Sequence, residues 1–441
     1  MILRIGSLTW TKEELCRHIL ITGDTGSGKT TSGFQPILLQ ITRNVPNWGG
    51  LVLGVKGDEH RFITELAHAH NRENDLIHLE VRPPDSSTKW TPPHRYNLLS
   101  DRSIPWMTHA KIIVDIASSV TEGSQHAFFK PMAQISLSNA FELLDLLAQP
   151  VTITRAYELL TSRPVSERAI RSLQGRAQTV QIQKLTEFFD STFTKAKAHE
   201  QREAVEGTLK TYLGFFLNSD VAAVFSSDEP NTFNFSDLDR GAIISITMPQ
   251  TLATERRYVQ TYLKILFYFH VLRRFDLDSS ERDSKNLLLL IADEFQDLVT
   301  AAEDGISDHK TVDRIRAAGA CIIAGMQSEI SADPAITEKK RKVFSLNVRT
   351  RLIFRAADLE GATLSADFIG KKRIWKKTIS SKPGSLARTI SRRKEQEHYI
   401  HPTQLLRLPD HTAYAVHPSK RYIRKQIAPV DGEGKVFPWY R

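Results

Sequence analysis

Residues 19–32 read ILITGDTGSGKTTS. Within them Gly23, Asp24, Thr25, Gly26, Ser27, Gly28, Lys29 and Thr30 keep the spacing of a phosphate-binding loop: glycine, four residues, then glycine, lysine and a hydroxyl residue. The chemistry dictates that spacing. Glycines accept φ > 0, so successive backbone N–H groups can turn inward around an anion. A helix starting near Lys29 adds its free N–H groups and the positive end of its dipole. Lys29 can reach the β- and γ-phosphates of a nucleoside triphosphate, and the Thr30 hydroxyl can sit on Mg²⁺.

Two further segments supply what hydrolysis needs. LLLLIADEFQDL (287–298) is an apolar run ending in Asp293-Glu294. Carboxylates at the C-terminal end of a strand lie beside the phosphate loop, because ligands bind at that edge of open α/β sheets. Asp293 can bind Mg²⁺ through water, and Glu294 can polarise the attacking water. CIIAGMQS ends in Gln327, whose neutral amide can hydrogen-bond the γ-phosphate or that water. NVRTRLIFR offers Arg349, Arg351 and Arg355. An arginine of this kind can complete a neighbouring subunit's site. In a strand, Arg349 and Arg351 share one face and Thr350 takes the other.

These residues need a scaffold, and the hydrophobic pattern describes one. HILIT (18–22), GGLVLGV (49–55), LIHLEV (76–81), AIISITM (242–248), NLLLLIA (286–292), ACIIAGM (320–326) and RLIFRA (351–356) read as short buried strands. Helical patterns fall between them, among them 30–42, where Pro36 is expected to bend the chain, 59–71 and 256–275. Strands alternating with helices imply a mainly parallel sheet with helices on both faces. RPPDSSTKWTPPHRYN (82–97) must be a loop. From about 104 to 218 only helical spacing occurs, so an all-helical insert interrupts the α/β chain.

Composition narrows the class. The 441 residues are 41% hydrophobic and 25% charged, a globular balance. No apolar run approaches the roughly 20 residues that span a bilayer, and the first residues lack the layout of a signal peptide. Two cysteines, Cys16 and Cys321, exclude a disulfide framework and fit a reducing cytosol. The net charge of +9 is uneven: residues 371–425 hold fifteen Lys/Arg against three Asp/Glu, which leaves the remainder at −3. The stretch 371–394, KKRIWKKTISSKPGSLARTISRRK, reads as a basic hairpin or loop suited to a phosphate backbone.

Taken in order, the segments resemble the type IV coupling proteins of conjugation and secretion systems, the TraG/TraD-like ATPases. GDTGSGKTT matches their first nucleotide motif, LLLLIADEFQDL the second and AGACIIAGMQS the third. VLGVKGDEHRFITELAHAHNRENDLIHLEV with RYNLL looks like their strand, DPKGE turn, helix, strand and NPL run, although Lys56-Gly57-Asp58-Glu59 lacks the Asp-Pro. HAFFKPMAQISLSNAFELL with PVTITRAYELL resembles the start of their helical domain. NVRTRLIF through LLRLPDHTAYAVHPSKRYI resembles their C-terminal portion.

The resemblance implies ATP binding at Gly23 to Thr31, with Thr31 the last residue of the set. It implies Mg²⁺ at Thr30 and Asp293, water activation by Glu294, sensing by Gln327 and an arginine finger at Arg349. It implies a homo-hexameric ring that grips DNA without sequence preference and works with secretion-channel or relaxosome proteins. Members begin with a membrane-spanning segment, whereas here the phosphate loop starts at residue 23. A cytoplasmic protein, at most peripheral to the inner membrane and touching it only through a partner, is therefore expected.

The expected fold class is α/β, a RecA-like P-loop NTPase with a mainly parallel sheet and an inserted all-α domain. The expected division is a first nucleotide-binding part at 1–103, the helical insert at 104–218 and a second nucleotide-binding part at 219–441. The expected activity is ATP hydrolysis that drives DNA or protein transfer. A HerA/FtsK-like duplex pump is the related alternative, against which the helical insert argues. A non-translocating, NTP-dependent cargo receptor or switch is the alternative of another class.

Overall fold

A computed structural model describes residues 1–54, 59–87, 89–120, 130–176, 179–194, 199–300, 305–381 and 388–440. Thirteen strands are found among them: β1 (Leu3–Ile5), β2 (Leu8–Trp10), β3 (Ile19–Thr22), β4 (Gly49–Leu53), β5 (Leu76–Glu80), β6 (Ile243–Thr247), β7 (Leu288–Ala292), β8 (Ala320–Met326), β9 (Thr350–Ile353), β10 (Lys371–Ser381), β11 (Arg388–His398), β12 (Thr412–Val416) and β13 (Tyr422–Gln426). Nine build one sheet in the order β13-β12-β9-β3-β8-β7-β4-β6-β5. β9 through β5 run parallel; β12 joins β9, and β13 joins β12, antiparallel.

The central strands are apolar throughout because both sheet faces are covered. Alternate residues enter different cores. Leu288, Leu290 and Ala292 face one cluster, Leu289 and Ile291 the other. The first cluster contains the helix Ala253–Leu272 and the helical insert; the second contains the helices Gln35–Asn44 and Glu59–Ala69 and the β1–β2 hairpin.

From Trp106 to Phe225 the described elements are all helical. Phe141, Phe189, Tyr212 and Phe216 are buried there. The insert shares its core with helix Ala253–Leu272: His109 Nδ1 lies 2.7 Å from the Tyr262 hydroxyl, and Phe216 packs edge-on against Tyr258 at 5.3 Å. It is fused to the sheet layer through this helix.

Each strand read from the sequence is present, within two residues at either end except that β9 stops at Ile353, three residues before the expected 356. The helix expected at 30–42 is divided. Lys29–Phe34 winds as a wide π-type turn, and an α-helix follows over Gln35–Asn44. Pro36 occupies the first turn of that α-helix, where its missing N–H costs nothing. The basic stretch is a hairpin of β10 and β11, paired from Lys371↔His398 to Ser381↔Arg388. The Lys56-Gly57-Asp58 turn, the start of HAFFKPMAQ and residues 382–387 of the basic stretch lie outside the described residues.

Candidate nucleotide-hydrolysis site

β3 delivers the chain to the phosphate loop at the C-terminal edge of the sheet. Gly26 has φ +82° and Gly28 φ +102°, values that favour glycine. A Cβ on Gly28 would lie 2.8 Å from the His411 ring. The loop is braced on both sides: Gly23 N–H donates to the Met326 carbonyl at the end of β8, and Asp24 N–H to the Arg355 carbonyl beyond β9, at 2.7 Å. The Ser27 hydroxyl donates to the Asp24 carbonyl at 2.7 Å. Lys29 is buried, and its ammonium donates to the carbonyls of Gly23 (2.6 Å) and Asp24 (3.1 Å). It is thus folded over the concavity where an anion would lie. Thr25 and Gly26 form the exposed tip, and Thr31 is half-buried on the first turn.

Thr30 Oγ1 donates to Asp293 Oδ2 at 3.0 Å. β8 lies between the strands that carry these residues, and Gly325 makes the approach possible. A Cβ there would stand 2.6 Å from Asp293 Oδ1 and 2.6 Å from the Phe34 ring. Glu294 follows at φ +53° and is 7% exposed. A left-handed backbone in a buried glutamate is a local strain of roughly 1–3 kcal/mol, found where the surroundings over-determine the geometry. Gln296 Nε2 donates to Glu294 Oε2 at 2.8 Å. Burial raises the Asp297 carboxyl above its ordinary range, with the Glu294 charge acting the same way and Arg257 opposing both. Gln327, directly after β8, is exposed on the same edge.

Gly23 to Thr31, Asp293, Glu294 and Gln327 therefore converge on one sheet edge. Arg349 does not join them. β9 pairs with β3 from Thr350↔Ile19 to Ile353↔Thr22, and Arg349 N–H donates to the Arg17 carbonyl at 2.8 Å. Arg349 thus lies level with His18, about 16 Å along the sheet from Gly23. Arg351 is buried against Glu329 (Nη1–Oε1 3.1 Å), while Thr350 Oγ1 accepts from Trp10 Nε1 at 3.1 Å on the other side. Arg355, at the far end of β9, contacts the loop itself: its guanidinium binds Asp24 at 3.1 Å and Asp410 at 2.6 Å.

Two site residues, Gly325 and His411, have no mark in the sequence, and Arg355, read there as a candidate for a neighbouring site, instead touches its own loop. Gly325 acts through the space it leaves, and His411 through its approach to Gly28 and a contact of 2.9 Å with the Ser32 hydroxyl. The N-terminal hairpin and the strands β12 and β13 also go unannounced.

The donor set fits a magnesium–triphosphate. An ammonium lies in the glycine-rich concavity, and a hydroxyl and a carboxylate meet beside it, the chemistry of a Mg²⁺ site that keeps some of its waters. The sheet with this loop and acid pair at one edge defines a RecA-like P-loop NTPase. Residues 117–425 match the model of the type IV secretion-system coupling protein DNA-binding domain, and the chain belongs to that family, the coupling proteins of type IV secretion.

Solved structures agree on the fold. The unbound bacterial conjugative coupling protein TrwBdeltaN70 superposes with a TM-score of 0.65 at 16% identity, covering 94% of this chain and 85% of that one. Plasmid coupling protein TrwB in complex with the non-hydrolysable GTP analogue GDPNP matches with a TM-score of 0.65 at 16% identity, over 96% and 88% of the two chains. TrwB in complex with ADP and Mg²⁺ gives 0.63 at 15% identity, over 99% and 94%. No curated protein matches this chain in sequence. Among the described residues, no helix is long and apolar enough to cross a membrane.

Proposed function

We propose that this chain is an ATP-hydrolysing motor that binds DNA and drives its transfer, or that of a protein substrate, through a conjugation-type secretion system. The meeting of the Thr30 hydroxyl with the Asp293 carboxylate over the folded-in Lys29 carries this reading. ATP and Mg²⁺ are the cofactors. Lys29 would neutralise the β- and γ-phosphates, with the loop N–H groups from Gly23 to Thr31 around them. Thr30 would hold Mg²⁺ directly and Asp293 through water. Glu294 would take the proton of the attacking water, and Gln327 would report the state of the γ-phosphate.

The working unit in this proposal is a homo-hexamer, with Arg349 serving the neighbouring site, and the working domains are 1–103, 104–218 and 219–441. The protein would be cytoplasmic and reach the inner membrane only through secretion-channel or relaxosome partners. The β10–β11 hairpin would be a sequence-independent DNA contact: Lys372, Arg373 and Lys377 are exposed on it, and Lys394 lies 4.7 Å over the exposed Trp375 ring.

ATP turnover with and without single- and double-stranded DNA, across protein concentration, tests the proposal. DNA stimulation that grows with assembly is expected. Turnover indifferent to DNA at every concentration would favour a switch or cargo receptor.

A further inference from the structure

The C-terminal segment places an aromatic cluster against the phosphate loop, and none of the residues assigned above uses it. His411 precedes β12 with φ +59°, a conformation few histidines adopt. Its backbone N–H donates to the Ser27 carbonyl at 2.9 Å. Trp439 and Tyr440 lie against its ring, with centroids 5.4 and 5.3 Å away. Trp439 also stacks on Phe437 at 5.6 Å and 17° between planes, yet remains 59% exposed. The segment is held in place by Val430 N–H, which donates to the Thr31 carbonyl at 3.2 Å.

The sheet order says which end of a nucleotide this cluster would meet. β8 and β7, with Gln327, Asp293 and Glu294, lie on one side of β3; β9 and β12 lie on the other. The metal and the water-polarising carboxylate belong at the γ-phosphate, so that end points toward β7. The nucleoside end then points toward β9 and β12, where His411 and Trp439 stand. Large aromatic surface left open beside a polar loop suits a flat heteroaromatic ring, and such stacking tolerates any base.

We infer that His411, Trp439 and Tyr440 form the stacking cradle for the base of the bound nucleotide, a statement that rests on the nucleotide-site reading above. Titration calorimetry on the full chain, with Mg²⁺ and either the non-hydrolysable ATP analogue AMP-PNP or inorganic tripolyphosphate, tests it. Trp439→Ala is expected to bind AMP-PNP about 5- to 100-fold more weakly than wild type and to keep its tripolyphosphate affinity. Trp439→Phe should recover most of the loss. Unchanged AMP-PNP affinity in Trp439→Ala, or an equal loss for both ligands, would overturn the cradle while leaving the phosphate site standing. Failure of the wild-type chain to bind either ligand would overturn the nucleotide-site reading, and the cradle with it.

Discussion

Thr30 and Asp293 are 263 residues apart in the chain and 3.0 Å apart in the fold, hydroxyl to carboxylate. The contact crosses a strand. Thr30 belongs to the turn after β3, Asp293 to the end of β7, and β8 runs between them. A parallel sheet sets neighbouring strands about 4.8 Å apart, so two side chains can meet over the middle strand only if that strand offers no side chain of its own. Gly325 meets this condition.

Gly325→Ala tests the relationship directly. The added Cβ would stand 2.6 Å from Asp293 Oδ1 and from the Phe34 ring, both held by packing. Asp293 must then shift by a few tenths of an ångström or more. Overpacking of this kind costs about 1–3 kcal/mol, and displacement of a reacting group by 1 Å costs about 10²-fold in rate. ATP turnover should fall by about that factor, and the Mg²⁺ concentration for half-activity should rise. Wild-type turnover in Gly325→Ala would show that the Thr30–Asp293 contact has no part in hydrolysis.

Glu294→Gln keeps the shape of the side chain and removes the base. The left-handed backbone at Glu294 and the hydrogen bond from Gln296 fix where the carboxylate points. Nucleotide binding should be unchanged and turnover reduced at least about 10²-fold, the ordinary contribution of a positioned base. Hydrolysis near the wild-type rate would remove Glu294 from the mechanism.

Much of this site can be read from the chain because the chemistry constrains spacing locally. A phosphate loop needs its glycines and lysine within eight residues, and an acid pair follows a strand buried on both faces. The central strands β3, β4, β7 and β8 are legible for the same reason, as largely apolar runs such as Leu288–Ala292. What escapes depends on distances across the fold. β13, YIRKQ, is a polar edge strand whose pairing with β12 only the tertiary structure defines. Gly325 and His411 look like any glycine and histidine until β8 and β12 bring them to Asp293 and Gly28. The basic stretch is legible as a hairpin through its length and charge, though its pairing extends to His398, beyond the last of its clustered cations.

A buried ion pair supports the segment that leaves Glu294. Lys264 is fully buried, and its ammonium donates to Asp308 Oδ2 at 2.7 Å and to the Leu298 carbonyl. Burial pushes that ammonium below its ordinary pKa, and the Asp308 carboxylate works against the push. Asp308 also accepts from the Tyr268 hydroxyl at 2.5 Å and from Thr300 N–H at 2.6 Å. Lys264→Met leaves a buried carboxylate without its cation, a loss of about 3–5 kcal/mol. Urea unfolding should show this loss, and adding Asp308→Asn should restore part of it. A Lys264→Met protein within 1 kcal/mol of wild type by the same measurement would contradict the argument.

Acid should act on the base of β3 through His18. Burial holds this imidazole down at about 4, with the nearby Arg316 charge adding to the effect. Nε2–H donates to the Val312 carbonyl at 2.7 Å, and Nδ1 accepts from Ile322 N–H at 3.0 Å. A proton on Nδ1 would face another N–H. Between pH 6.5 and 4 the unfolded chain therefore takes up a proton that the folded chain refuses, and stability falls as pH falls. The contribution is about 1.4 kcal/mol per pH unit within that window and disappears above it. His18→Asn, which suits the φ of +61°, should be less stable at pH 7 and lose less between pH 6.5 and 4.5. Identical slopes for the two proteins in urea unfolding would exclude His18 as the titrating group.

Arg349 is the candidate that the fold separates from its own site, and this separation is what a residue acting on a neighbour requires. Its backbone bond to Arg17 fixes it at the edge of the sheet opposite the phosphate loop. Lys420 lies close by: burial lowers its amine, and the Arg349 and Arg351 charges lower it further. Arg351 is committed to Glu329, and Lys420 donates to the Phe368 carbonyl at 3.1 Å. Arg349 is half-buried there, and in the proposal it is the cation that reaches across a subunit boundary. A finger supplied in trans is worth about 10³–10⁵ in rate, far more than a surface charge. Arg349→Ala should bind ATP normally and lose hydrolysis by that factor. Mixed with Lys29→Ala subunits it should regain activity, because a Lys29→Ala subunit still carries the arginine that completes its neighbour's intact loop. Recovery should rise with the fraction of mixed rings and reach a maximum near equal proportions. If the mixture stays inactive while labelled subunits demonstrably exchange, Arg349 does not act across the boundary, and Arg355, already paired with Asp24 beside the loop, becomes the arginine to test.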